Sequence, residues 1–488
     1  MAVHHQFGRG VAWMAIGNWT EQAVNFAVFV VLARVLGAES FGLLAMASVF
    51  VVLAEFLVRE SVSEWLIAAH DPRPADLNAA FCLLIALGGA LAAGLWFASE
   101  AIARAYGTAD VADLVRLLAV TVLLIAPTAV PVALLRRRMQ FRLLALRAIA
   151  GVVAGGAVGI SMALAGYGVW SLAGQRIAQV AVNVALAWAG TGWAPGLALR
   201  GADWRGIGGF GSKVVGLRAA ELAAVQAPVL VIGGLLGPVA AGLYSIAWRL
   251  VETLSFLIVT PLRMASQPAF ADLARGRGRP GELLRDIALL TGPLAFPAFL
   301  GVAALAPQVL AVVFGQNWVA AAPALRVLSL VGIAICIEKV QLSFGLALGQ
   351  AGGLAAIAWL AAVLTFVTGW ALAPQGIEAV AAGFALSVWV ALALRLMMTA
   401  RLGGLPARSL AAVHLVPAAA AVVMAAAVMA FARVTPDWPR PLVLLAGVAL
   451  GAMLYGLAAA LVMRDRIALA LAFVGRGAEP PQNGHEPP

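Results

Sequence analysis

Charge is scarce in this sequence, and lysine is almost missing. Of its 488 residues only 11% are charged, whereas a soluble domain has about 25%, and 63% are hydrophobic. This composition excludes a soluble globular protein and predicts one polytopic membrane unit. The net charge of +10 comes almost wholly from arginine, since Lys213 and Lys339 are the only lysines. The arginines lie mostly in short loops, where the positive-inside rule explains them, so nucleic acid is not expected as a partner.

Cysteine, histidine and nucleotide-binding motifs offer little for catalysis. Cys82 and Cys336, the two cysteines, both lie in apolar stretches and predict neither a disulfide framework nor a metal site. The five histidines lack metal-ligand spacing, and neither a Walker-A loop nor a Ser/His/Asp constellation occurs. The longest hydrophilic connection, residues 263–282, is too short for a catalytic domain and is expected to lie at the membrane interface. No metal or organic cofactor is therefore expected.

Long apolar stretches predict an all-α membrane protein with about fourteen transmembrane helices, because about 20 apolar residues span a bilayer. Loops, Pro/Gly pairs and charge clusters delimit the stretches. The predicted spans are 11–36, 42–66, 77–99, 112–134, 144–165, 168–189, 207–235, 238–262, 283–306, 323–346, 352–373, 376–400, 410–432 and 440–463. The tail, residues 475–488, is polar and rich in proline and glycine, and is expected to be disordered.

The loop arginines set an orientation. With the N-terminus in the cytoplasm, nearly all of them fall on the cytoplasmic side, among them the run 136–138. The opposite side has only Arg104, Arg433 and Arg440 in its loops. This asymmetry predicts that both termini are cytoplasmic.

An internal repeat relates the two halves of the chain. Leu36-Gly37, Gly42-Leu43 and Ala47 recur 200 residues later as Leu236-Gly237, Gly242-Leu243 and Ala247. Six predicted helices separate the copies, so both have the same orientation, an arrangement that transporters use for alternating access. Chance, or a common tight turn, is the alternative. The repeat predicts an N-terminal lobe (8–190), a cytoplasmic linker (191–206), a C-terminal lobe (207–402) and two further helices (408–464), followed by the tail.

Ionisable side chains within the spans fall mainly in predicted helices 1, 2, 7 and 8. A charged residue at the centre of a membrane helix costs roughly 2.5–3.5 kcal/mol, so such residues are expected to face one another or water. Helices 7 and 8 are the repeat equivalents of helices 1 and 2, so all four are expected to line one central cleft. The candidate residues are Glu21, Asn25, Arg34, Glu55, Arg59, Arg218, Glu221, Arg249 and Glu252.

Two interpretations of these residues stay open. Three pairs are spaced to share a helix face and could merely neutralise each other, namely Glu55–Arg59, Arg218–Glu221 and Arg249–Glu252. In the functional interpretation, fork-like donors bind a phosphate or diphosphate in a cleft lined by Arg249, Arg218, Arg59, Arg34 and Asn25. The carboxylates that would hold these arginines, or bind a coupling proton or sodium ion, are Glu252, Glu55, Glu221 and Glu21.

Several of the ionisable residues have an alternative role that does not involve a ligand. Arg34 lies near the outer end of helix 1 and could snorkel to the interface. Four ionisable residues on other helices are interpreted as structural pairs: Arg176, Glu338, Lys339 and Arg395.

Collinear segments from about residue 8 to residue 400 resemble the polysaccharide-lipid flippases of the multidrug/oligosaccharidyl-lipid/polysaccharide (MOP) exporter superfamily. They are ARVLG (33–37) with Phe41-Gly42, LRRRMQFR (135–142), GYGVWSL (166–172), GPVAAGLYSIAWR (237–249), and FGQNW (314–318) with Ala322-Pro323. The likeness is greatest to the subgroup that exports exopolysaccharide or capsular repeat units.

This resemblance implies two six-helix lobes around a V-shaped cleft lined by helices 1, 2, 7 and 8, plus two further helices, in a bacterial inner membrane. It also implies an undecaprenyl-diphosphate-linked oligosaccharide as the substrate, with a polymerase and chain-length or export machinery as partners in the bilayer. A multidrug exporter and a peptidoglycan-precursor exporter are alternatives within the superfamily. A membrane-embedded polysaccharide polymerase is the alternative from another class, although no large loop or acidic motif for an enzyme occurs.

Overall fold

The computed structural model describes residues 2–68, 72–196, 200, 202–204, 212–276 and 279–463. The predicted disordered tail and parts of the predicted linker lie outside these residues, as do the side chains of Glu64 and Lys213 in the charged spans. The chain forms two compact units. The first comprises the residues up to Ser245 together with Gly369–Ile377, and the second comprises Ile246–Thr368 and the residues from Glu378 onward.

The described secondary structure of the first unit is helical. Its helices are α1 (Ala2–Val35), α2 (Ala38–Ala68), α3 (Pro74–Tyr106), α4 (Asp110–Ile125), α5 (Ala129–Arg137), α6 (Phe141–Leu164), α7 (Trp170–Thr191) and α8 (Ser212–Leu236). A 3-10 turn, Ala126–Thr128, joins α4 to α5. Helix α6 packs against α1 and α7, while α4 packs against α2, α3 and α7.

The second unit contains most of α9 (Pro238–Ala274), which begins in the first unit. Its other helices are α10 (Pro280–Ala304), α11 (Ala306–Val313), α12 (Ala322–Ala347), α13 (Ala351–Leu372), α14 (Ile377–Leu402), α15 (Ala407–Ala412), α16 (Leu415–Val434) and α17 (Arg440–Val462). Helix α10 packs against α12 and α16, and α16 packs against α17.

All fourteen predicted spans coincide with helices, and the prediction of an all-α membrane protein is confirmed. Among the described residues, 12 helical segments are long and apolar enough to cross a bilayer. Helices α1 and α7, which match the first and sixth predicted spans, are not among these 12. The total of fourteen spans therefore stays a prediction.

Helix α9 continues past residue 262, the predicted end of its span, to Ala274, and so runs through much of the hydrophilic connection expected at residues 263–282. Phe270 and Leu273 of this extension are buried in a core with Leu284, Ile287 and Phe344. The two apolar residues are three apart and so lie on one helix face. That short apolar stripe was hidden in the sequence by the arginines that follow it.

The repeated glycines bring two helices together in the first unit. Gly42 of α2 and Gly242 of α9 pack backbone to backbone near the starts of their helices. A Cβ on Gly42 would lie 2.5 Å from the carbonyl carbon of Pro238, and one on Gly242 would lie 2.8 Å from that of Ala38. The contact is reciprocal at the same offset of 200 residues, since Ala38 and Pro238 are themselves equivalent. Small residues allow such close approach of membrane helices.

Candidate functional site: an arginine cluster

Glu55 is a buried carboxylate in α2, with only 4% of its surface exposed. It accepts a hydrogen bond of 2.7 Å from Thr121 Oγ1 of α4. It also accepts one from Arg176 of α7, with which it forms an ion pair. Arg59, one turn along α2, places a guanidinium nitrogen 3.8 Å from the same carboxylate. Glu55 therefore holds one arginine from its own helix and one from α7, and this pairing offsets the cost of burying its charge.

Arg59 links this group to other charges of the first unit. Glu55, Arg176, Glu60 and Arg136 all lie close enough to act on the charge of its guanidinium. About half of the Arg59 side chain is exposed, so the group keeps donors available beyond those that Glu55 engages. The spacing-based prediction that Glu55 and Arg59 share a helix face is confirmed.

Arg147 of α6 is a site residue that the sequence reasoning missed. The charged residues that act on it are Arg59, Glu21 and Arg136. Its Nε is buried and has no hydrogen-bond partner among the described residues. The signal available in the sequence was an arginine six residues inside an otherwise apolar helix. It was overlooked because it follows the arginine-rich run that ends at Arg142.

Arg218 of α8 lies 4.0 Å from Glu60 of α2, an ion pair that joins two different helices. The sequence predicted only the neighbour on its own helix, Glu221. Arg218 is about half exposed, so this pair is loose and its donors are accessible. The linked residues of the first unit are hereafter the arginine cluster: Arg59, Arg136, Arg147, Arg176 and Arg218, with Glu21, Glu55 and Glu60.

Two further predicted residues lie on α1. Asn25 is one turn from Glu21, on the same helix face, and is partly buried. Arg34 is exposed in the last turn of α1, 13 residues from Glu21, which is about 20 Å along the helix. That distance separates Arg34 from the cluster. A place for it in the substrate site stays a prediction.

The second unit contains the predicted pair of Arg249 and Glu252 on α9. A guanidinium nitrogen of Arg249 donates a hydrogen bond of 3.0 Å to the Glu252 carboxylate. About a third of the Arg249 side chain and half of the Glu252 side chain are exposed. The pair thus shares a face, as the spacing predicted. Its part in binding stays a prediction.

Two buried polar pairs join α12 and α14 in the second unit. Arg395, 1% exposed, forms an ion pair with Glu338, and Thr399 donates a hydrogen bond to Gln341 one turn away. Both pairs connect the same two helices in register, which agrees with the structural role expected for Glu338 and Arg395. Arg176, by contrast, belongs to the arginine cluster. Among the described residues, no group of three or more His, Cys, Asp or Glu side chains could hold a metal ion.

Comparison with known proteins identifies a transporter fold. The structure of the lipid II flippase MurJ in an inward closed conformation superposes with a TM-score of 0.75 at 12% identity, covering 93% of this chain and 99% of that one. An inward-facing multidrug-resistance transporter of the MATE family and MOP superfamily gives a TM-score of 0.56 at 17% identity, with 80% and 95% coverage. Both likenesses show that the chain shares the fold of these transporters.

The sequence is also similar to a transport protein of succinoglycan biosynthesis. It is 26% identical over 322 residues to the succinoglycan biosynthesis transport protein ExoT of Rhizobium meliloti (strain 1021). That alignment covers 66% of this chain and 65% of ExoT. ExoT is named as a transport protein. The family described as "Polysaccharide biosynthesis protein" matches residues 31–323, which is more than half of this chain. This chain therefore belongs to the polysaccharide biosynthesis protein family.

Proposed function

We propose that this protein is a flippase that moves an undecaprenyl-diphosphate-linked oligosaccharide repeat unit from the inner to the outer leaflet of a bacterial inner membrane. The product would feed the assembly of exopolysaccharide, capsule or O-antigen. Both termini would be cytoplasmic, and a polymerase with its export machinery would receive the unit. The resemblance to ExoT and the family match support a polysaccharide precursor as the cargo.

The observation that carries the proposal is the excess of arginine over glutamate in the arginine cluster. Three of its five guanidinium groups, those of Arg59, Arg176 and Arg218, form ion pairs with Glu55 or Glu60. Those of Arg136 and Arg147 lie near the same group, as does the Glu21 carboxylate. A surplus of cations within membrane helices is costly unless water or an anion compensates it. Arginine offers a planar fork of donors that matches phosphate oxygens, so a diphosphate is a suitable anion.

Glu55 gives the cluster its order. A buried carboxylate that binds both Arg59 and Arg176 restricts their rotamers before any ligand arrives, which lowers the entropy that binding would cost. Arg147, with a buried donor that lacks a partner among the described residues, would gain a hydrogen bond on binding. In this role Glu55 is a charge partner. The remaining three carboxylates, Glu21, Glu221 and Glu252, are the proposed carriers of a coupling proton or sodium ion.

The alternatives fit less well. A cationic drug would be repelled by a cluster in which arginines predominate. A peptidoglycan precursor has the same diphosphate chemistry, and the ExoT resemblance and the family match favour exopolysaccharide units over it. For movement we propose alternating access, with the phosphate site exposed to each side in turn, because the repeat at an offset of 200 residues is of the kind that such transporters use.

Transbilayer movement of a lipid-linked sugar tests the proposal, in vesicles that contain only this protein. Arg147→Gln should lower the initial rate about 10- to 100-fold, because a charge-assisted hydrogen bond is lost. The matched control is Arg116→Gln. Arg116 lies in α4 and pairs with Glu100 and Asp113. It should move the lipid at the wild-type rate. Equal rates in wild-type and protein-free vesicles would overturn the flippase assignment, and equal rates in the two variants would remove Arg147 from the site. New glycosidic bonds without movement would favour a polymerase.

A further inference from the structure

Thr121 of α4 is a fully buried residue whose hydroxyl points at the carboxylate that orders the arginine cluster. Its Oγ1 lies 2.7 Å from Glu55 Oε1 and 2.7 Å from the main-chain oxygen of Leu118. The hydroxyl has one proton for these two acceptors, and the anionic carboxylate is the stronger of them. Thr121 therefore holds the Glu55 carboxylate from a different helix of the first unit.

The two oxygens of Glu55 have different partners. Oε1 accepts the hydrogen bond from Thr121, whereas Oε2 accepts the one from Arg176 of α7. A guanidinium nitrogen of Arg59 is 3.8 Å from Oε2, which is an ion-pair distance but longer than a hydrogen bond. Among the described residues, only Arg59 and Arg176 form ion pairs with this carboxylate. Each oxygen thus has its own donor, and Glu55 attracts Arg59 without forming a hydrogen bond to it.

The accessibility of these partners separates their roles further. The side chain of Arg59 is 52% exposed and that of Arg176 is 37% exposed, whereas Thr121 is fully buried. An arginine that binds an anion needs donors that are both accessible and not already engaged. Arg59 satisfies both conditions at its contact with Glu55. Thr121 cannot touch a ligand, so it can act on one only through Glu55.

We propose that Thr121 is a positioning residue of the diphosphate site, because its hydrogen bond to Glu55 Oε1 leaves the donors of Arg59 for phosphate oxygens. Without the hydroxyl, Oε1 becomes a buried acceptor that has lost its donor, which is unfavourable. The Arg59 guanidinium, one turn along α2, can replace the lost donor. A phosphate would then compete with Glu55 for the same donors and bind more weakly. The inference rests on the proposed function, since it assigns a role within that site.

Binding of farnesyl diphosphate to the full-length protein in neutral detergent micelles tests the role of Thr121. Thr121→Val removes the hydroxyl with little change of shape and should weaken binding about 10-fold, which is the equivalent of one hydrogen bond. Thr121→Ser keeps the hydroxyl and should bind nearly as the wild type does. Thr121→Cys, with a weaker donor, should have an intermediate affinity and serves as a second variant if the valine protein does not fold.

The matched control is Thr128→Val. Thr128 is another buried threonine of the first unit, and its hydroxyl donates to the main-chain oxygen of Ile125. This variant also loses a buried hydroxyl, but it should bind farnesyl diphosphate as the wild type does. Thermal unfolding of each variant in the same detergent shows that the proteins compared are folded.

A double-mutant cycle separates positioning from a merely structural role. Arg59→Gln alone should weaken binding, and adding Thr121→Val to it should change the affinity by no more than about twofold, because the residue on which Thr121 acts is gone. A structural defect would instead weaken binding by the same factor in both backgrounds. In the vesicle assay, Thr121→Val should raise the KM for the lipid-linked sugar with little change in kcat, as expected for a loss of ground-state binding.

Three results would overturn the role of Thr121 and leave the flippase assignment intact. They are equal affinity of the wild type and Thr121→Val, a full loss that persists in the Arg59→Gln background, and a loss that Thr121→Ser does not restore. Absence of saturable binding by the wild type would overturn the diphosphate site of the proposed function, and the role of Thr121 with it. The failure of the inference is therefore distinguishable from the failure of the proposed function.

Discussion

The reciprocal contact of Gly42 and Gly242 allows a prediction to be worked from distances. Ordinary van der Waals contacts of a Cβ begin at about 3.4 Å, and a methyl at Gly42 would lie 2.5 Å from the Pro238 carbonyl carbon. Because the neighbour is backbone, no side chain can rotate away. The starts of α2 and α9 would have to separate by at least about 1 Å, because the Pro238 carbonyl oxygen is nearer still. Overpacking of this kind costs about 1–3 kcal/mol.

Gly42→Ala and Gly242→Ala should each lower the thermal unfolding midpoint of the purified protein, by about 2–10 °C for a cooperative unit of some 200 residues. The double variant should lose less than the sum of the two, because the first methyl separates the helices and gives the second room. Fluorescence-monitored unfolding in one detergent checks both effects.

Gly37→Ala is the matched control, since a Cβ at Gly37 would meet nothing within 4 Å. It lies one residue before α2 and should leave the midpoint unchanged. If Gly42→Ala and Gly242→Ala unfold at the same temperature as Gly37→Ala, the two helices do not cross at these glycines. Strictly additive losses would show that the two positions do not share one contact, and the reciprocal packing would be refuted.

Two further predictions concern charged residues of the second unit. Glu338→Ala should destabilise the protein by about 3–5 kcal/mol because it removes the carboxylate that pairs with the buried Arg395, whereas Glu338→Leu/Arg395→Met should recover most of that loss and still support transport. Thermal unfolding and vesicle transport check this, and loss of transport in a stable double variant would show that the pair is not merely structural. Arg249→Ala should abolish polymer export by cells at an unchanged protein level, as measured by immunoblot and polymer assay, while export at the wild-type level would exclude Arg249 from the mechanism.

The sequence predicted most of the fold because hydrocarbon imposes its constraints locally. Each span needs its own run of apolar residues, so the spans were visible one at a time. The Gly42–Gly242 contact was partly visible for a similar reason. A close backbone crossing requires glycine at a fixed position, and both copies of the repeat have glycine there. The extension of α9 to Ala274 escaped detection because only two apolar residues, Phe270 and Leu273, mark its buried face.

Only part of the arginine cluster could be predicted from the sequence. Spacing found Glu55–Arg59 in the cluster and Arg249–Glu252 in the second unit, and both are pairs within one helix. It could not find the partner of Glu55 in Arg176, 121 residues away, nor that of Arg218 in Glu60. An arginine reaches its partner through a long flexible side chain and leaves no local pattern at the other end. Only the unfavourable location of Arg147 and Arg176 within apolar helices marked them, and that mark does not name a partner.

The free-energy cost of placing charged groups in hydrocarbon connects these unpredicted contacts to function. If the ionic groups of the first unit served only packing, pairing them one to one would be the cheapest arrangement in hydrocarbon, and hydrophobic residues would be cheaper still. The second unit follows that rule at Glu338 and Arg395, which are buried and matched. The arginine cluster does not: it remains partly exposed, its arginines outnumber its glutamates, and Arg147 keeps a buried donor without a partner among the described residues. An arrangement that is costly in the empty protein is favoured when an anion completes it, which is the physical reason for placing the diphosphate there.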